Sequence, residues 1–62
     1  MTAKQVIERL TREGWSDVRQ SGGHKIFKHP VRMEIVVVPV HPGRDIPAGT
    51  LADIKRKAGW QR

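Results

Sequence analysis

Sixty-two residues without a single cysteine exclude a disulfide framework and a thiolate zinc site, and they allow one thin core in one domain. Twelve Lys and Arg against six Asp and Glu leave a net charge of +6, a field that draws polyanions, nucleic acid before acidic protein. The apolar run at residues 35–38 is only a strand long, which excludes a membrane span and predicts a cytoplasmic domain that a dimer contact or partner protein would steady.

Thr2-Ala3-Lys4-Gln5 has the spacing of a capping box, with the Thr hydroxyl facing the N3 amide and the N3 Gln reaching back. Ala3, Val6, Ile7 and Leu10 follow as one helical stripe, and Gly14-Trp15 supplies a left-handed stop with an apolar residue to fold onto Leu10. These features predict a helix over residues 2–13. Residues 15–20 then read as a short strand with one solvated face.

Gly22-Gly23 predicts a primed hairpin turn with both glycines at positive φ. Residues 24–29 return antiparallel, with His24, Ile26 and Lys28 on one face and Lys25, Phe27 and His29 on the other. Each face holds one apolar residue. Phe27 is the larger, so its face is assigned to the core, with Lys25 snorkelling and His24 toward solvent.

Pro30-Val31-Arg32 makes the next turn, because proline cannot continue the ladder. Residues 33–38 form the third strand. Val36, Val37 and Val38 make it apolar on both faces, which predicts cover on both sides, with another chain as a candidate for the second. Residues 39–47 are a loop stiffened by prolines and bent at Gly43.

The second helix begins near Pro47, or later with Thr50 as its cap. Leu51, Ile54 and Ala58 share its buried face, and Gly59-Trp60 repeats the first stop, with Trp60 folding toward Ile54. The order is αβββα over residues 1–62. It predicts an α+β, two-layer single domain: a three-stranded antiparallel sheet with two helices on one face.

The candidate chemistry lies between Gln20 and Pro30. His24 leaves the glycine corner, with Lys25 and Lys28 beside it, Arg19 on the strand before and Arg32 shortly after. Histidine is the side-chain type that titrates near neutrality, and an imidazole among cations suits a phosphate-bearing substrate. His24 and His29 are five apart and so face opposite ways on an unbroken strand, and the carboxylates are scattered singly. No metal centre or cofactor is predicted. His29 and His41 read as turn and loop residues, and Trp15 and Trp60 as helix-end anchors.

Several of these runs resemble one family. They are the helix ending at Gly14-Trp15, Gly22-Gly23-His24 leading to Phe27-Lys28-His29-Pro30, and Val38-Pro39-Val40-His41 through Asp45-Ile46-Pro47-Ala48-Gly49-Thr50-Leu51 to Ala58-Gly59-Trp60. With the αβββα order, the chain resembles the HicA toxins of bacterial HicA–HicB toxin–antitoxin systems. These are messenger-RNA-cleaving proteins with a double-stranded-RNA-binding-domain-like fold.

The resemblance implies an mRNA interferase with His24 as the catalytic residue, held in check by a HicB-like antitoxin in a hetero-oligomer, with a homodimer as the other assembly. Gly23 and Lys25 depart from the family, which often has Ser and a second His at those places. In the expected reaction His24 takes the proton of a ribose 2′-OH and drives metal-independent cleavage to a 2′,3′-cyclic phosphate. Lys25, Lys28 or Arg19 would stabilise the phosphorane, and Gly22, Gly23 and Arg32 would complete the RNA contacts. The acid that protonates the leaving oxygen stays open between a lysine, His41 and water. The alternatives are a non-catalytic module that binds structured RNA and an interaction domain for an acidic protein.

Overall fold

The computed structural model describes residues 1–60 as α1 (Ala3–Arg12), β1 (Ser16–Ser21), β2 (His24–Lys28), β3 (Val36–Pro39) and α2 (Ala48–Ala58). This is the α+β order expected. Helix α1 starts as its capping box dictates: Thr2 Oγ1 accepts from Gln5 N, and Gln5 Oε1 accepts from Thr2 N.

Both helices end in the same way. Gly14 at φ +97° lets Trp15 N donate to Leu10 O and Gly14 N to Thr11 O, the two bonds of a Schellman stop. Gly59 at φ +77° repeats the pattern with Trp60 N to Lys55 O and Gly59 N to Arg56 O. The two tryptophans then diverge. Trp15 is buried, whereas half-buried Trp60 reaches α1, where its Nε1 donates to the Glu13 carboxylate and Arg9 lies 4.2 Å over its ring. That contact ties the end of α2 to the end of α1.

The sheet runs β1-β2-β3, antiparallel throughout. Its inner face carries Phe27, Val36 and Val38, which meet Ala3, Val6 and Leu10 of α1 and Ile54 and Ala58 of α2 in one cluster closed by Trp15 and Ile46. Both helices therefore bury their stripes against the face chosen for Phe27. Full burial of one such side chain is worth roughly 1.5–3 kcal/mol. Strand β1 is an exposed edge, interrupted by a register shift between Asp17 and Arg19 that leaves Val18 outside the pairing. A bulge of this kind blunts an edge against pairing with another chain.

Two expectations are corrected, the start of the third strand and the conformation of the hairpin glycines. Strand β3 begins at Val36, not at residue 33, and Met33 is 96% exposed. Within the described residues of this chain only the inner face of β3 is covered, and Val37 is 38% exposed on the outer one. Only Gly22 has positive φ (+57°) in the hairpin, the glycine pattern of a type II′ turn with the special position first. Of the two starts expected for α2, the earlier one holds, with Pro47 as its cap residue. Among the described residues no helix is long and apolar enough to cross a membrane.

Candidate functional site

His24 is the first residue of β2, exposed on the outer side of the sheet, with Ser21 of β1 and Pro39 of β3 as its cross-strand partners. The chain returns to it through β3. Val40 N donates to Gly23 O at 2.6 Å, locking the residue before His24 to the residue before His41. His41-Pro42-Gly43-Arg44 is then a type II turn: Arg44 N donates to His41 O at 3.1 Å and Gly43 sits at φ +77°. Proline suits the second position of such a turn and glycine the third, and both are present.

Beyond the turn the loop is tied to the chain start. Ile46 N donates to Met1 O at 2.8 Å, the terminal ammonium lies 3.9 Å from Asp45, and Ile46 enters the core. His41 therefore lies over the glycine corner, where a Cβ built on Gly23 would stand 4.0 Å from its Cε1.

His24 and His41 line one open cleft of about 470 Å³, with Val37, Pro39, Thr50 and Asp53. Thr50 belongs to the first turn of α2, whose start has no side-chain cap and no acidic residue. Its free amides carry the positive end of the helix dipole, which favours an anion there. Asp53, one turn on, pairs with Lys57 at 3.2 Å and with Arg56.

The remaining predicted residues separate into two groups. Arg19 and Lys28 share the outer face with His24: Arg19 pairs with Ile26, a diagonal neighbour, while Lys28 is four residues along, roughly 13 Å away. Lys25 is turned to the inner side and paired with Asp17 at 3.3 Å. Arg32 lies at the other end of α2, where its Nε donates to Lys57 O and its guanidinium covers Gly59. The structure thus does not bring Lys25 and Arg32 to His24.

His29 is structural. Its Nδ1 accepts from Val31 N, so the neutral ring carries its proton on Nε2 and donates to Glu13 O at 3.1 Å, edge-on to Trp15. Glu13 collects a second set of contacts. Burial on its own pushes its carboxyl up, but hydrogen bonds from Trp60 and Arg9 and the charges of Arg9 and Arg12 outweigh this and hold it below the usual carboxylate range. What sequence reasoning missed is the start of α2 as a wall of the cleft. The signal available was Pro47 opening a helix whose first turn has no acid to occupy it.

Fold and site together define a small basic α+β domain with two histidines facing an uncapped helix start. A family model described as the HicA toxin of bacterial toxin-antitoxin matches residues 3–60, and the chain belongs to that family. It is by that membership a toxin of a toxin–antitoxin system, which implies an antitoxin partner. Comparison with curated proteins gave no match.

Proposed function

We propose that this toxin is an endoribonuclease of the mRNA interferase type, cleaving RNA in the His24 cleft without a metal and silenced when a HicB-like antitoxin covers that cleft. The observation that carries the reading is an exposed imidazole at a rigid corner, opposite the open start of α2, on a body of net charge +6.

RNA brings its own nucleophile. A neutral His24 removes the proton of the 2′-OH, the 2′-oxygen attacks the adjacent phosphorus, and the P–O5′ bond breaks to leave a 2′,3′-cyclic phosphate and a 5′-OH. Charge grows on the non-bridging oxygens during this step. The free amides at residues 48–50 are suited to that charge because they are fixed before the reaction begins. Arg19 and Lys28 flank the outer face and suit the strand on either side of the scissile phosphate. Lys25 and Arg32 serve the fold in this reading, through Asp17 and the end of α2.

Purified protein incubated with labelled single-stranded RNA in EDTA, wild type beside His24→Ala, tests this. Wild type is expected to yield cyclic-phosphate ends, with the variant slower by about 10²- to 10⁴-fold. Equal cleavage by the variant removes His24 from the reaction. Cleavage that appears only when Mg²⁺ replaces EDTA assigns the chemistry to a metal.

A further inference from the structure

We propose that His41 is the second catalytic residue of this cleft, the general acid that protonates the O5′ leaving group; this rests on the nuclease reading above. In-line displacement places the attacking 2′-oxygen and the departing O5′ on opposite sides of phosphorus. The acid must therefore reach the phosphate from a second position in the cleft, apart from the ring that serves as base.

The titratable groups lining the cleft are His24, His41 and Asp53. Asp53 is held by Lys57 and Arg56 as their counter-ion, and a carboxylate so paired accepts hydrogen bonds and donates none. Lys25 faces away, and Lys28 is at the far end of β2. His41 remains, on a different segment from His24.

It is also the better positioned of the loop's residues. The Gly23–Val40 hydrogen bond precedes it and the Pro42-Gly43 turn follows it, so its backbone is held on both sides. A ring that must deliver a proton to one atom needs such placement. The charged groups around it are His24 and Asp53 in the cleft, Lys4, Glu8 and Lys25 on its other side, and Arg44 within the turn.

The electron and proton balance closes within the substrate and two rings. The 2′-O–P bond forms and P–O5′ breaks; His24 gains the 2′-OH proton and a protonated His41 loses its own to O5′. Both rings are exposed, and solvent exchange restores them.

The test compares wild type, His24→Ala and His41→Ala, plus His41→Asn as a second variant of similar shape. Single-turnover cleavage is measured on two RNAs: one ordinary, one with sulfur replacing the bridging 5′-oxygen at a single step, whose thiolate leaves without a proton. The His41 variants are expected to slow the oxygen substrate by about 10²- to 10⁴-fold and the sulfur substrate by less than about tenfold. His24→Ala slows both. The pH–rate profile of wild type is bell-shaped, and the His41 variants lose its alkaline limb.

Equal slowing of both substrates, or no slowing of the oxygen substrate, overturns the assignment of His41. If His24→Ala abolishes cleavage while both His41 variants match wild type, the nuclease reading stands and His41 alone is dismissed. If wild type cleaves neither RNA, the nuclease reading fails and this inference with it.

Discussion

Glu13 shows how much one exposed residue can join. It follows the last turn of α1, accepts from Trp60 Nε1 and Arg9 Nε through its carboxylate, and accepts from His29 through its carbonyl. Its folded carboxyl lies below the ordinary range, so its contribution to stability is complete above about pH 4.3, the usual unfolded value, and is lost as the pH falls through the lower folded one. The side chain is 37% exposed, which limits that contribution to under about 1 kcal/mol. Glu13→Gln is therefore expected to lower stability at pH 7 by a few tenths to about 1 kcal/mol and to cost less at pH 3 than at pH 7. Urea unfolding at the two pH values measures it. A penalty equal at both would mean that packing, not charge, is what the carboxylate supplies.

At the scale of the element, glycines that look alike in sequence differ in what they do. Gly14 terminates α1 at φ +97°, and a Cβ there would also stand 3.1 Å from His29 Nε2. Gly14→Ala is expected to cost about 1–2 kcal/mol from the left-handed backbone alone. It should also disturb the His29–Glu13 bond, seen as a shifted imidazole resonance. Gly23 has no positive φ, and its nearest neighbours would be 4.0 Å from a Cβ. Gly23→Ala is thus expected to fall within about 0.5 kcal/mol of wild type or slightly above it. Thermal unfolding of both variants checks the contrast, and equal losses would show that the hairpin needs two flexible positions after all. The glycine pair was legible as a turn, but which of the two carries the strain depends on the turn type, and that is set by how β1 and β2 twist together.

For the whole molecule, charge must be sorted by face before it predicts binding. Affinity for single-stranded RNA that cannot be cleaved is expected to fall with salt, each lost phosphate contact reducing the log–log slope by about 0.7. Lys28→Ala and Arg19→Ala are each expected to reduce that slope. Lys25→Ala leaves it unchanged because Lys25 is paired with Asp17 on the other side, and Arg32→Ala acts on stability through the end of α2. Fluorescence titrations between 50 mM and 200 mM salt, in steps set by the usual steepness of such binding, separate the two pairs. A slope that drops equally for all four would mean the RNA wraps both faces.

Most of the fold could be read from local chemistry. Thr2 and Gln5 define a helix start, Gly14-Trp15 and Gly59-Trp60 define two helix ends, and Phe27 outweighs Ile26 in choosing the buried side of β2, because each of these acts over a few residues. The outward His24 followed from the same alternation. Beyond that range the chain is silent. That Lys25 turns from the histidine while Lys28 does not was within reach of parity. That Arg32 covers the end of α2, Trp60 crosses to Glu13, and His41 and the start of α2 line one cleft with His24 was not. Those meetings join residues 17 to 47 positions apart, and only the packing of both helices on one side of the sheet, with the 40–47 loop tied back to Met1 and Gly23, brings them into contact.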